Sequence, residues 1–183
     1  MLFRSQHATE ASVPRGVLAG SFNPLHTGHL ELARVAADVL AGPVAFELAV
    51  LNADKPPLGR TEVRHRLSQF AWRQTVELTR APTYREKARL FPGAIFVVGT
   101  DTAERIVHPR YYADRAEHML EALDEIARHG CRFLVAGRVN ERGRFVTLAE
   151  IALPARFREL FVQIPEERFR RDVSSTALRQ LRP

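Results

Sequence analysis

The residue types that could handle phosphate are concentrated in residues 20–30, which read Gly-Ser-Phe-Asn-Pro-Leu-His-Thr-Gly-His-Leu. Gly20 and the pair Asn23-Pro24 let the backbone turn close to a ligand. His26 and His29 stand at the start of an expected helix, where backbone N–H groups face an anion and imidazole N–H groups can donate to phosphate oxygens. The helix dipole disfavours protonated histidine there, so neutral donors are expected. The alternative is one capping histidine and one surface histidine.

A second group of phosphate-binding residue types lies near the end of the sequence, at residues 172–179. Ser174 is a good N-cap for a helix, and Ser175 and Thr176 add hydroxyl groups at the same helix N-terminus. Arg179, one turn further on, can donate two hydrogen bonds to polyphosphate oxygens. Taken with the first stretch, this group predicts the other half of a triphosphate clamp. Taken alone, it is equally consistent with an ordinary capped helix.

A third candidate is the run Gly99-Thr100-Asp101, which follows an apolar strand. A carboxylate at the carboxyl end of a strand suits ribose hydroxyl groups, as in other nucleotide-binding sheets. The alternative is that Asp101 serves only as the N-cap of a helix over residues 102–107. We expect this run to contact the nucleoside part of a ligand.

The elements that must position these groups alternate between apolar strands and amphipathic helices. Thr61 is the expected N-cap of the second helix, and Leu120 is expected to point inward from the fourth, together with Met119, Leu123 and Ile126. Strands are expected at residues 17–19, 46–51, 94–98, 131–136 and 160–164, a hairpin at 138–148, and helices at 28–40, 61–75, 86–90, 117–129 and 174–181.

This alternation predicts an α/β fold: a single Rossmann-like domain with a mostly parallel sheet of five or six strands and helices on both faces. The domain is expected to span residues 15–183, and residues 1–14 form a polar lead-in that is a candidate disordered segment. Ligands of such sheets bind at the carboxyl ends of the strands. The loops holding residues 20–28, 52–60 and 99–104 would open there.

The composition argues against several classes of protein. Hydrophobic residues make up 45% of the chain and charged residues 26%, and no apolar run approaches the roughly 18 residues of a membrane helix. The single cysteine, Cys131, excludes an internal disulfide framework and a multi-cysteine metal site, so a cytoplasmic location is expected. The net charge of +6 comes almost entirely from scattered arginines. Nucleic acid is therefore not an expected partner, and a homo-oligomer is left open.

Residues 20–30 and 173–179 resemble the two signature motifs of the HxGH nucleotidyltransferase superfamily. Its members include adenylyltransferases for nicotinamide or nicotinate mononucleotide and for phosphopantetheine, and several cytidylyltransferases. The Ser-Phe-Asn-Pro form of the first motif, with Ser-Ser-Thr-x-x-Arg in the second, is most similar to the pyridine mononucleotide branch. Over residues 15–182 the chain resembles proteins described as nicotinamide mononucleotide adenylyltransferase-like or cytidylyltransferase-like.

The resemblance implies roles for individual residues. The catalytic contacts to phosphate would come from His26, His29 and Arg179, and the acceptor would be bound by Asn52, Lys55, Tyr111, Tyr112 and Arg138. The two tyrosines are candidates for stacking on a pyridine ring because this chain has no tryptophan after the Gly-x-Asp segment, where that branch often has one. ATP would be bound by Gly20, Ser21, Phe22, Asn23, Gly28, Gly99, Thr100, Asp101, Ser174, Ser175 and Thr176.

The activity implied by the resemblance is transfer of AMP from ATP to nicotinamide or nicotinate mononucleotide, with release of pyrophosphate, as a step of NAD biosynthesis. No carboxylate cluster predicts a resident metal ion, so Mg²⁺ would arrive with the ATP. One departure is the second loop, which reads Asp54-Lys55-Pro56-Pro57 and lacks the histidine typical of bacterial nicotinate enzymes. Two alternatives stay open: an ATP-binding or ATPase regulatory protein, and a cytidylyltransferase acting on a phosphorylated alcohol.

Overall fold

The computed structural model describes residues 14–52, 56–70, 74–140 and 143–170 of the chain. The helix predicted at residues 174–181, and all but the last residue of the predicted lead-in, lie outside the described residues. The described strands are β1 (Gly16–Ala19), β2 (Val44–Ala49), β3 (Val76–Thr79), β4 (Ile95–Gly99), β5 (Arg132–Ala136), β6 (Arg138–Val139), β7 (Phe145–Val146) and β8 (Phe161–Gln163).

Six of the described strands form one parallel sheet in the order β3-β2-β1-β4-β5-β8. The register pairs Val17 with Ala45 between β1 and β2, and Val97 with Leu134 between β4 and β5. Strands β6 and β7 pair antiparallel as the predicted hairpin. Helices surround the sheet, so the predicted α/β Rossmann-like fold is confirmed.

The five α-helices in the described part of the chain connect these strands. Leu120 is 38% exposed, so its predicted inward orientation is wrong, whereas Met119, Leu123 and Ile126 are buried as expected. None of the described helices has the length and apolarity needed to span a bilayer. The helices are α1 (Thr27–Leu40), α2 (Arg60–Ser68), α3 (Tyr84–Leu90), α4 (Thr100–Ile106) and α5 (Ala116–Arg128), with 3-10 turns at Pro109–Tyr112, Leu148–Glu150 and Ala155–Leu160.

The chain divides into two compact units, the first formed by Met1–Thr83 with Asp172–Pro183 and the second by Tyr84–Arg171. Each has its own set of buried apolar side chains, as expected for strands covered by helices. The prediction of one domain over residues 15–183 stays a prediction. The first unit buries Val17, Phe22, Ala36, Phe46, Leu48 and Phe70, and the second buries Phe96, Val97, Leu123, Ile126, Phe133 and Val135.

The main departure from the sequence prediction is the segment after the second loop. The helix predicted over residues 61–75 is confirmed only in its first part, because α2 ends at Ser68, and the predicted cap at Thr61 is wrong, because the N-cap is Gly59. Strand β3 follows and was not predicted. Its polar residues Glu77 and Thr79 are buried beside β2, and the Thr79 hydroxyl donates a hydrogen bond to the carboxylate of Glu47. Buried polar residues break the apolar pattern by which a buried strand is recognised.

Candidate functional site

The loop between β1 and α1 is built around the ring of Phe22. That ring is 1% exposed and meets the rings of His29, Phe46 and Phe70 edge to face. A Cβ atom on Gly20 would lie 2.7 Å from Cε1 of Phe22, closer than packed atoms allow, so the close approach of the ring requires glycine at position 20. Because the ring is enclosed, Phe22 anchors the loop, and any contact it makes with a ligand would come from its backbone.

The two histidines of the loop are stacked on each other at the start of α1. His26 is the N-cap of the helix, and the ring centroids of His26 and His29 are 3.7 Å apart with an interplanar angle of 25°. The backbone N–H of His26 donates to Nδ1 of His29 over 3.3 Å. Since Nδ1 accepts this bond, the proton of neutral His29 is on Nε2, which is therefore a hydrogen-bond donor. In the described part of the chain, Nδ1 of His26 is buried and has no hydrogen-bond partner.

The environment of the pair favours uncharged imidazole. Burial, and secondarily the neighbouring charge of His26, lower the pKa of His29 from 6.5 to about 4. Burial also lowers the pKa of His26. Both effects arise because a charged ring loses hydration when it is covered and is repelled by a second charged ring. At neutral pH the pair therefore offers neutral hydrogen-bond donors.

Helix α2 and the residue that follows it hold the same loop through side-chain hydrogen bonds. Arg66 donates from Nη1 to the carbonyl oxygen of Ser21 over 2.8 Å. The side chain of Gln69 donates from Nε2 to the carbonyl oxygen of Phe22 over 2.9 Å, and its Oε1 accepts the backbone N–H of Leu25 over 2.8 Å. Sequence reasoning did not identify Arg66 or Gln69, because they lie 44 to 47 residues from the groups they bind.

The second loop leaves the sheet beside the first. Because β1 and β2 are parallel neighbours, the loops that follow them start at the same edge of the sheet. Asn52, a predicted acceptor contact, is exposed at the start of this loop. The loop closes with a hydrogen bond from the N–H of Leu58 to the carbonyl oxygen of Val50, 2.9 Å long. Lys55, the other predicted contact here, lies outside the described residues.

In the second unit, the predicted nucleoside contact lies at the end of β4. Gly99 is the N-cap of α4, which starts at Thr100, so the alternative in which Asp101 caps a helix over residues 102–107 is wrong. Thr100 is buried, and Asp101 is exposed in the first turn. The carboxylate of Asp101 forms an ion pair with Arg138, which follows β5. Two predicted ligand-binding residues of this unit are thus brought together at neighbouring strand ends.

An open cavity of about 320 Å³ adjoins Asp101. Tyr111 is 41% exposed in its wall, and the guanidinium carbon of Arg105 lies 5.9 Å from the centroid of its ring. Tyr112 differs, because its hydroxyl donates to the carbonyl oxygen of Ile106 over 2.9 Å and burial raises its pKa to about 12. Tyr111 is therefore available for stacking, whereas Tyr112 stabilises the turn. The cavity is lined by Asp101, Glu104, Arg105, His108, Arg110 and Tyr111.

The second predicted group of phosphate-binding residues lies outside the described residues. It comprises Ser174, Ser175, Thr176 and Arg179. Within the residues that are described, no group of three or more histidine, cysteine, aspartate or glutamate side chains could hold a metal ion. The described site residues thus form two groups: the loop of residues 20–29 in the first unit, and Asp101 with Tyr111 and Arg138 in the second.

Known proteins similar to this chain also indicate a nucleotidyltransferase. The protein described as "Probable nicotinate-nucleotide adenylyltransferase" from Thermus thermophilus is 34% identical over 102 residues, which cover 47% of this chain and 55% of that protein. The chain thus spans about half the length of this curated relative. The family model described as "Cytidylyltransferase-like" matches residues 17–181. Because this match covers most of the chain and both signature motifs, the protein belongs to the cytidylyltransferase-like family of nucleotidyltransferases.

Proposed function

We propose that the protein is an adenylyltransferase that transfers AMP from ATP to nicotinamide or nicotinate mononucleotide and releases pyrophosphate. The observation that carries this proposal is the pair of stacked rings of His26 and His29 at the start of α1, in a chain of the cytidylyltransferase-like family. The Thermus thermophilus relative, described as a probable nicotinate-nucleotide adenylyltransferase, supports a pyridine mononucleotide as the acceptor.

The proposed reaction is a direct displacement at phosphorus. A phosphate oxygen of the acceptor attacks the α-phosphorus of ATP, a new P–O bond forms, and the bond from the α-phosphorus to the bridging oxygen breaks. The electron pair of that bond leaves with pyrophosphate. No protein nucleophile takes part, so the protein contributes positioning of the two substrates and stabilisation of the charge that develops on oxygen.

The loop between β1 and α1 would supply contacts to phosphate. Neutral His29 donates its Nε2–H to a phosphate oxygen, and His26 and the backbone N–H groups at the start of α1 add further donors. Uncharged donors suit this position because the start of a helix already carries a partial positive charge. Lys55 and Arg179 would provide full positive charges for the acceptor phosphate and for the leaving pyrophosphate, respectively.

Asp101 and Tyr111 would supply contacts to the organic parts of the substrates. The carboxylate of Asp101 suits the hydroxyl groups of a ribose, and the exposed ring of Tyr111 suits stacking on a flat heterocycle. Arg138 is paired with Asp101. A ligand that binds Asp101 would free Arg138 to bind the ligand as well, and a ligand that binds Arg138 would free Asp101 in the same way.

Magnesium enters this scheme as part of the substrate MgATP. In the described residues no group of three or more histidine, cysteine, aspartate or glutamate side chains could hold a metal ion, and the carboxylate of Asp101 is paired with Arg138. Mg²⁺ prefers several oxygen ligands and retains water readily, so the phosphates of ATP provide a better site for it than these side chains do.

A panel of nucleotides and acceptors tests the proposal. The purified protein is incubated with MgATP and, separately, nicotinamide mononucleotide, nicotinate mononucleotide or a phosphorylated alcohol, and pyrophosphate and the joined product are quantified by chromatography and mass spectrometry. We expect equal amounts of pyrophosphate and a dinucleotide with one of the pyridine substrates. Release of inorganic phosphate without dinucleotide would instead support the ATPase.

The match to a family described as cytidylyltransferase-like favours one further candidate, cytidylyl transfer. In that reaction CTP replaces ATP, and a phosphorylated alcohol takes the place of the pyridine mononucleotide. The same panel run with CTP distinguishes the two, since a CMP-linked product in place of the dinucleotide would establish the second function and reject the first.

A further inference from the structure

We infer that Arg66 and Gln69 are positioning residues that fix the loop of residues 20–26 in the shape needed to bind a nucleoside triphosphate. This inference rests on the proposed function insofar as the triphosphate is the substrate of that reaction. Neither residue touches the phosphates in this scheme. They act through the backbone of the loop, to which they make three hydrogen bonds.

The contacts of Gln69 are specific for an amide. Its Nε2 donates to the carbonyl oxygen of Phe22, and its Oε1 accepts the N–H of Leu25, so one side chain bridges two backbone groups on either side of the Asn23-Pro24 turn. Glutamate retains the acceptor and loses the donor, and methionine has the same length and loses both. The turn would then be free to change the direction in which its backbone groups point.

Arg66 fixes the start of the same turn. Its side chain is 10% exposed, its Nε donates to the carboxylate of Glu62 over 2.7 Å, and its Nη1 donates to the carbonyl oxygen of Ser21. The planar guanidinium holds both partners at once, which an ammonium group cannot do with the same geometry. Ser21 is thereby held on one side of Phe22 while Gln69 holds the other.

The placement of these residues matters because His26 immediately follows the bridged turn. The backbone N–H of Leu25 is held by Gln69, and the next N–H along the chain, that of His26, is the group that orients the ring of His29. A shift of the turn is therefore passed directly to the histidine pair. Displacements of about 1 Å at a phosphate-transfer site are sufficient to lower turnover by about 100-fold.

The test compares Gln69→Met, Gln69→Glu and Arg66→Lys with the wild-type protein, and uses Arg64→Ala as a control, since Arg64 is exposed on the same helix. For each variant we would measure kcat, the KM of both substrates, the melting temperature and hydrogen–deuterium exchange at the amide of Leu25. We expect kcat/KM for ATP to fall by about 10- to 100-fold in Gln69→Met, with rapid exchange at Leu25 and native circular dichroism. Gln69→Glu should keep the protection of Leu25, and Arg64→Ala should match wild type.

A merely structural role predicts a different result: a lower melting temperature with unchanged kcat/KM for the folded fraction. That result, or normal kinetics in Gln69→Met despite an unprotected Leu25 amide, overturns the inference. If wild-type protein makes no product with any acceptor, the proposed function fails, and the inference is then decided by calorimetric titration with ATP. A Kd at least 10-fold higher in Gln69→Met supports it, and equal Kd values, or no ATP binding by wild type, overturn it.

Discussion

At the level of single residues, the pair His26 and His29 derives its chemistry from burial. Two stacked rings with centroids 3.7 Å apart cannot both carry a proton without strong repulsion, and the enclosing ring of Phe22 removes water from His29. The result is a donor that stays neutral through the physiological pH range. Such a donor stabilises negative charge on a phosphate oxygen without itself having to change protonation state.

Replacement of His29 by alanine should leave the protein folded and remove most of its transferase activity. A donor aimed at developing charge is worth about 100- to 1,000-fold in kcat, so we expect a loss of that size in a steady-state pyrophosphate assay, with a circular dichroism spectrum like that of wild type. His118→Ala is the control, because His118 is exposed on α5 in the other unit. Full activity in His29→Ala would exclude the proposed role.

The lowered pKa of His29 predicts a specific dependence of stability on pH. The unfolded chain binds a proton at His29 near pH 6.5, whereas the folded protein does so only near pH 4. The contribution of neutral His29 to the free energy of unfolding is therefore fully present above pH 6.5 and is lost as the pH falls towards 4. Between pH 7 and pH 5 the free energy of unfolding of wild type should fall by about 2 kcal/mol more than that of His29→Gln. Urea titrations at several pH values measure the difference, and parallel curves for the two proteins would contradict it.

At the level of helices and strands, the sequence pattern predicted elements whose buried residues are apolar. It did not predict a strand whose buried residues are polar. Strand β4 and helix α5 were found because apolar residues mark their buried sides. Strand β3 was not predicted because its buried residues Glu77 and Thr79 are polar and pair with β2. That pairing joins distant parts of the chain, so no local window of sequence contains it.

Two ion pairs between α3 and α5, in which partly exposed arginines bind the buried Glu125, offer a test at this level. Glu125 of α5 accepts hydrogen bonds from Arg89 and from Arg85, the latter over 2.5 Å, and these contacts, above all that with Arg89, lower its pKa from 4.5 to about 2. The stabilisation of the folded protein by ionised Glu125 is therefore present above pH 4.5 and is lost as the pH falls towards 2.

Glu125→Gln should accordingly unfold at a lower urea concentration than wild type at pH 7. The difference in urea midpoint between the two proteins should become smaller below pH 4.5. Urea titrations of both proteins from pH 7 to pH 3 measure this difference in midpoint. The control is Glu121→Gln, which changes an exposed carboxylate on the same helix and should show no such narrowing. A gap that stays constant with pH would mean that the charge of Glu125 is not the stabilising feature.

For the whole molecule, the sequence was sufficient to predict the parallel α/β fold and the family, because both depend on features that recur locally along the chain. The HxGH-type string is contiguous, and the spacing of its histidines is fixed by one helical turn. Arg66 and Gln69 could not be predicted in the same way. Their partners are backbone groups, which every residue has, and only the packing of α2 determines which of these groups they reach.

Thermal unfolding of the whole chain provides the test for Arg179, which the family resemblance assigns to the outer phosphates. A ligand present at 100 times its Kd stabilises the folded state by about 2.7 kcal/mol, which corresponds to a rise of roughly 5 to 10 °C in Tm for a chain of this size. Arg179→Ala should lose much of the rise produced by ATP and little of that produced by AMP, because AMP lacks the β- and γ-phosphates. Arg132→Ala, which removes an exposed arginine at the start of β5, should respond to both nucleotides as wild type does. Equal losses with ATP and AMP in Arg179→Ala would place this residue away from the outer phosphates.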